Sequence, residues 1–207
     1  MGKEPPRWQI GNQIKGFLAE DEGEKLFALA MEAAAHGPCL EIGSFCGKST
    51  VYIGSACKAK GVTLYTIDHH RGSEEQQPGH PYYDPELFNE KTGVIDSFPL
   101  LRETIIKAGL ENTVVPMVTW SNVASRNWST PLSFIFIDGG HSYEAVLNDY
   151  LSWQAHLIRG GYLVFHDIYL DPGKGGQAPY QVYKMAVESK RFKELPMMNS
   201  LGILKKN

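Results

Sequence analysis

The chain has 207 residues, 43% hydrophobic and 21% charged, enough for one domain with a full core. Twenty Lys and Arg against twenty-three Asp and Glu leave a net charge of −3, so no strong basic field is present to hold nucleic acid or an anionic membrane. Three cysteines (Cys39, Cys46, Cys57) form no CxxC pair, which argues against a disulfide framework or a cysteine-rich zinc site and fits a reducing cytoplasm.

The polar start Met1–Gln13 does not read as a signal peptide, and the longest apolar runs, such as Phe134–Ile137, are too short to span a bilayer. Asp21–His36, rich in Ala, Leu, Met and Glu, reads as a helix stopped by His36-Gly37-Pro38. Cys39–Ile42 is a short apolar strand, and a glycine-bearing turn leads to a helix from Lys48 to Lys60, closed by Gly61. Val62–Ile67 predicts a second strand ending in Asp68. His69–Pro85 is polar and rich in Pro, Gly, Tyr and His, a long surface loop of the kind that serves as a lid or binding loop. A helix over Leu100–Ala108 and strands over Thr113–Val118 and Ser133–Ile137 follow. Ser142 is a good N-cap, with Glu144 in the first turn; helical spacing from Val146 through Leu157 and Ile158 predicts a helix running to Gly160-Gly161. Tyr143 and Trp153 on it read as packing residues. Tyr162–Phe165 is a buried strand ending in His166-Asp167, a helix near Tyr180–Ser189 follows, and Phe192–Leu195 and Leu201–Leu204 close the chain as strands. Strands alternating with helices imply an α/β fold with a parallel sheet covered on both faces, and the closing strand–turn–strand implies that the last strand runs antiparallel. Residues 1–37 are expected to form a helical N-terminal or lid segment and residues 38–207 a single globular unit.

In an open α/β sheet, ligands bind beyond the carboxyl ends of the strands. Those ends carry Glu41–Thr50, Asp68, Thr119-Trp120-Ser121-Asn122, Asp138-Gly139-Gly140-His141 and His166-Asp167. Glu41–Thr50 (EIGSFCGKST) is one residue short of a phosphate-binding P-loop, with three residues rather than four between Gly43 and Gly47-Lys48-Ser49. GxGxxG is absent too, since Phe45 takes the place of the second glycine. The better reading is an acidic–x–Gly–x–x–x–Gly turn. There Gly43 and Gly47 let backbone approach a ligand, Glu41 meets a cationic group, and Asp68 accepts from the two hydroxyls of a ribose. Those demands describe S-adenosylmethionine better than a triphosphate. His141, three residues after Asp138, faces the same cleft as a candidate base. His69, His70 and His80 read as exposed loop histidines, and Cys46 as a thiol with no activating partner.

EIGSFCGKST, the Asp68 strand end, FIFIDGGHSYEAVLNDYLSW, GGYLVFHD and SLGILKK together resemble class I S-adenosylmethionine-dependent methyltransferases, from about Ile14 onward. The likeness is strongest to the small bacterial group related to macrolide-sugar O-methyltransferases and cephalosporin hydroxylases. It implies a doubly wound, Rossmann-like sheet of seven strands with the last one antiparallel. It also implies cofactor contacts from Glu41, Gly43, Ser44, Phe45, Gly47, Ser49, Asp68, His69, Ser121 and Asp138, with Asp68 on the ribose and Ser121 near the adenine. In the related sugar enzymes acidic residues after two strands hold a divalent cation, and the matching positions here are Asp138, His166 and Asp167. An imidazole among them disfavours magnesium and suits manganese, iron or zinc. The expectation is therefore S-adenosylmethionine-dependent O-methylation of a small hydroxylated molecule, assisted by magnesium or manganese, with His141 as base. Trp8–Phe17 and His69–Pro85 would form the acceptor pocket and lid. A homodimer through the amphipathic N-terminal helix stays open. So do two other classes, a P-loop-like nucleotide hydrolase that would depend on Lys48 and a methyltransferase fold that binds without turnover.

Overall fold

The computed structural model describes residues 7–207, so the first six residues of the polar start lie outside the described residues. A seven-stranded sheet organises the chain. Its parallel part comprises β1 (Cys39–Ile42), β2 (Leu64–Asp68), β5 (Val114–Val118), β6 (Leu132–Ile137) and β7 (Leu157–Phe165). With β8 (Phe192–Met198) and β9 (Leu201–Lys206) the order is β5-β2-β1-β6-β7-β9-β8. The last strand is antiparallel, as the closing strand–turn–strand implies, and it is inserted between β7 and β8 instead of lying at the edge.

Alternating side chains on the central strands build two apolar layers, as a sheet covered on both faces requires. Phe134 and Phe136 point to the side of α1 (Glu20–Ala33), α2 (Lys48–Lys60) and α3 (Phe98–Lys107), where they meet Leu26, Ala30, Tyr52 and Ile53. Ile135 and Ile137 point to the side of α5 (Tyr143–Trp153) and α6 (Ala178–Glu188), where Trp153, Phe165 and Tyr183 are buried. Helix α2 has the bounds its sequence predicts, because Gly47 and Gly61 bracket it with left-handed backbone at φ 93° and 69°.

The structure corrects the reading of α5. That helix stops at Trp153, and Leu157, Ile158 and Gly160-Gly161 belong to β7. A turn closes it, His156 N–H donating to the Trp153 carbonyl at 3.0 Å, and an irregular register between Leu132 and Phe134 accommodates the extra length of β7. Tyr143, read as packing, is 40% exposed, whereas Trp153 is fully buried. The sequence also concealed α4 (Ser121–Ala124) and a two-stranded hairpin, β3 (Phe88–Asn89) and β4 (Val94–Ile95), within the segment after the long loop. Trp8 packs 5.7 Å from both Phe27 and Tyr52, inside the α1–α2 layer and not at a pocket mouth. Among the described residues no helix is long and apolar enough to cross a membrane.

Register places the site. Ile42 pairs with Ile67 on one side and Ile137 on the other, and Ile137 pairs with Phe165. The next residue on each strand, Gly43, Asp68, Asp138 and His166, therefore falls in one row at the carboxyl edge. The chain leaves β1 toward β2 and returns to β6 on the opposite side, so the switch in strand order opens a crevice at this edge.

Candidate active site at the carboxyl edge of the sheet

The glycine turn after β1 is shaped by protein atoms. A Cβ at Gly43, where φ is +91°, would overlap the Asp138 carbonyl oxygen and lie 2.8 Å from the Gly139 nitrogen. A Cβ at Gly47 would lie 2.9 Å from both Leu101 and Thr104 side-chain carbons. Gly43 thus lets the chain at Asp138-Gly139 cross the end of β1, and Gly47 leaves room for the side chains of α3. Phe45 also has a positive φ, 46°, and its N–H donates to Asp68 Oδ2 at 2.9 Å. Asp68 Oδ1 accepts from His70 N–H at 2.7 Å, so this carboxylate ties the two βα corners together. Each oxygen retains a second lone pair for a ligand hydroxyl.

Glu41 is completely buried, and its Oε2 accepts from Thr50 and Thr66 hydroxyls at 2.6 Å each. Burial outweighs these bonds and a further one from Ser49, and pushes the carboxyl up to about 7. Its Oε1 and the hydroxyl of Ser44, which is 2% exposed, have no hydrogen-bond partner among the described residues. An unpaired buried acceptor at the end of β1 and an unpaired buried hydroxyl three residues on have the chemistry to meet the ammonium and carboxylate of an amino-acid tail. His69 lies with its ring 4.1 Å from that of Trp120, which is 61% exposed, and burial lowers the His69 pKa, favouring a neutral ring. Ser121 opens α4 and accepts from Trp153 Nε1–H at 3.0 Å. Asp149 of α5, 8% exposed and pushed by burial to about 6, shares Ser121 as a partner; nothing in its sequence position singled it out.

At the β6 and β7 ends the structure rearranges the expected metal set. His166 is 6% exposed with both ring nitrogens taken, Nδ1 by Asp138 Oδ1 at 3.0 Å and Nε2 by Glu22 Oε2 at 3.2 Å. Burial opposes its charge, yet Asp138 and Glu22 hold it up at about 11. His166 thus stands beside Asp138 with both nitrogens in contact with carboxylates. The ligand atoms that converge belong to Asp138, His141 and Asp167, one from each lying within 4.8 Å of the others. His141 Nε2 is 3.0 Å from Asp167 Oδ2, and Nδ1 is 3.1 Å from Glu75 Oε2. The Asp167 hydrogen bond, helped by Glu75, raises His141 to about 9. Burial opposes ionisation of Asp167, but the His141 hydrogen bond holds its carboxyl below the usual range. Four carboxylates (Glu22, Glu75, Asp138, Asp167) surround two imidazoles, a surplus of negative charge that suits a cation.

Glu22 was invisible in the sequence. It stands in the first turn of α1, where an acid ordinarily offsets the helix dipole, but it also accepts from the Ser200 N–H (2.9 Å) and hydroxyl (2.7 Å). Burial opposes its charge, and the bonds from His166 and Ser200 outweigh it, holding the carboxyl at about 2. Of the loop histidines, His70 is buried at 3% exposure, its Nδ1 2.8 Å from Ser97 Oγ. Burial pushes the Cys46 thiol up to about 12, leaving it inert. Lys48 Nζ donates to the Gly16 carbonyl at 3.4 Å, outside the turn it would serve in a P-loop. Phe17, 69% exposed, stacks 6.3 Å from Phe45 and meets Tyr82 edge-on at 5.4 Å, so the N-terminal segment reaches the cleft only at its end. Another cavity, about 260 Å³, lies at the opposite end of the sheet, where Lys205 is already paired with Glu32 at 3.0 Å.

A family model described as a methyltransferase domain matches residues 40–168, more than half of the chain and nearly all of this site. Solved structures share the fold. The O-methyltransferase from Bacillus cereus in complex with SAH superposes with a TM-score of 0.66 at 14% identity, covering 99% of this chain and 92% of that one. TomG from Streptomyces achromogenes, an O-methyltransferase involved in tomaymycin synthesis and solved with SAM, gives 0.64 at 14% identity over 99% and 92%. The O-methyltransferase NovP gives 0.66 at 14% over 90% and 78%. With the doubly wound sheet, the crossing glycine turn and the acid at the end of β2 all lying inside the matched segment, the chain belongs to the methyltransferase-domain family and is a class I S-adenosylmethionine-dependent methyltransferase.

Proposed function

We propose that the chain methylates a hydroxyl oxygen of a small molecule at the junction of β6 and β7, with a divalent cation held by Asp138, His141 and Asp167. The observation that carries this reading is the convergence of those three side chains around Asp138, which stands in the same row of strand ends as Gly43 and Asp68. Asp68 would hold the ribose, His69, Trp120 and Ser121 the adenine side, and Glu41 Oε1 with Ser44 Oγ the amino-acid tail. S-adenosylmethionine supplies the methyl as a sulfonium, and transfer is a direct displacement needing alignment and exclusion of water. A cation lowers the pKa of a hydroxyl bound to it, and an imidazole among its ligands favours manganese, iron or zinc over magnesium. His141 has a different role here from the base expected in the sequence. Without a cation its Nε2 carries a proton toward Asp167; with one, that lone pair is committed to the metal.

Calorimetric titration with S-adenosylmethionine tests the cofactor half. Removing a charged acceptor of two hydroxyls is worth roughly 1.5–3 kcal/mol, so Asp68→Ala is expected to weaken binding by about 10- to 100-fold. Wild-type protein that binds no S-adenosylmethionine would overturn the reading. Glu41 gives a second expectation. Its folded pKa is raised from 4.5 to about 7, so the folded state holds the extra proton and stability falls as pH rises through that window. Glu41→Gln is expected to flatten the drop in melting temperature between about pH 5 and about pH 8, while weakening cofactor binding by about tenfold or more for want of a charge to face the ammonium. A variant that keeps both the slope and the affinity would remove Glu41 from the site.

A further inference from the structure

The loop after β2 reaches across the crevice and ends one of its turns on His141. Glu75 Oε2 lies 3.1 Å from His141 Nδ1, while Nε2 of the same ring points to Asp167 and the Asp138–His141–Asp167 cluster. Glu75 is half-exposed, yet its backbone is fixed. Ser73 N–H donates to Gln76 Oε1 at 3.0 Å, and the Gln77 side-chain amide donates to the Arg71 carbonyl at 3.0 Å and the Ser73 carbonyl at 2.9 Å. Tyr82 N–H donates to the Glu75 carbonyl itself at 3.1 Å. The loop is further tied to the N-terminal segment, where Lys15 donates to Asp84 and to Glu86. The acid is thus delivered by a turn that its own side chains hold in shape.

We propose that Glu75 is a positioning residue: it accepts the Nδ1–H of His141 and so turns Nε2 toward Asp138 and Asp167, making the loop after β2 part of the cation site. The inference rests on the cation reading above. An imidazole has two nitrogens, and one can face a metal dependably only if the other is held as a donor. Among the described contacts of His141, Glu75 is the acceptor on the Nδ1 side. The Glu22–His166–Asp138 chain has the same form, an outer acid holding an imidazole that holds an inner acid, and the two chains meet where His166 Nδ1 lies 3.5 Å from Asp167 Oδ2.

The test is Mn²⁺ binding, followed by electron paramagnetic resonance, to wild type, Glu75→Gln, Glu75→Ala and Asp138→Asn. Wild type is expected to bind and Asp138→Asn to lose binding. Glu75→Ala should bind about 10- to 100-fold more weakly, the usual effect of losing an outer-sphere partner of a metal-bound histidine. Glu75→Gln keeps an amide oxygen to accept from Nδ1–H and should stay within about threefold of wild type, which a pure charge effect would not allow. Equal binding by Glu75→Ala and wild type overturns this inference and leaves the cation site standing, as does Gln binding as weakly as Ala. Wild type that takes up no Mn²⁺ overturns the cation reading and this inference together. Hydrogen exchange without metal gives an independent check. Amides 72–80 should exchange faster in both Glu75→Ala and His141→Ala, with no further increase in the double variant, and an unchanged loop in Glu75→Ala overturns the proposed contact.

Discussion

Glu22→Ala is expected to lower stability by about 3–5 kcal/mol, because it strands a buried imidazolium and leaves the Ser200 N–H and hydroxyl without an acceptor. The loss is larger than for an ordinary exposed helix acid because Glu22 is 3% exposed and serves His166 and the β8–β9 turn at once. Its folded pKa is depressed from 4.5 to about 2, a stabilisation on the order of 3 kcal/mol, in line with that range. For a depressed acid the contribution is complete above the unfolded value and disappears as pH falls through the folded one. Urea denaturation should therefore show wild type well above Glu22→Ala at neutral pH and the two converging between about pH 4.5 and about pH 2. Curves that run parallel across that window would show that the carboxylate contributes nothing specific.

Gly43→Ala should be more damaging still. Gly43 N–H donates to the Ile67 carbonyl at 2.9 Å and Asp138 N–H to the Ile42 carbonyl at 2.8 Å, so β1, β2 and β6 are pinned within two residues of the substitution. The new Cβ meets the Asp138 carbonyl, and a side chain at φ +91° adds backbone strain of about 1–3 kcal/mol. Neither strand can retreat without breaking these bonds. Insoluble protein, or a loss of about 4 kcal/mol or more, is expected. Gly61→Ala is the control: φ is +69°, nothing lies within 4 Å of its Cβ, and the cost should be only about 1 kcal/mol. Equal losses at the two positions would show that backbone conformation, and not the crossing at Asp138, is what demands glycine at 43.

Local physics made much of this legible in the sequence. The Lys48–Lys60 helix could be bounded because glycines ended it at both sides, and Cys39–Ile42 because Pro38 and Gly43 bracketed it. Where a segment satisfied two patterns, reading failed. Leu157 and Ile158 continue the spacing of α5 as well as they begin β7, and no breaker separates them from Trp153. The row of strand ends was visible because each end announces itself by a polar residue after an apolar run. What brings Glu22 to His166 and Glu75 to His141 was not, since those pairs lie 144 and 66 residues apart and neither acid stands out locally. Hence the resemblance pointed to His166, and the convergence of His141 with Asp138 and Asp167 showed only in three dimensions.

The insertion of β9 between β7 and β8 orders the assembly of the molecule. As a nascent chain leaves the ribosome, β8 emerges first but has no sheet neighbour until β9 has been made and threaded beside β7. The turn joining those two strands carries Ser200, one of the partners that fix Glu22. However early the glycine corner forms, Glu22 gains its Ser200 partner only once β9 fills the gap between β7 and β8.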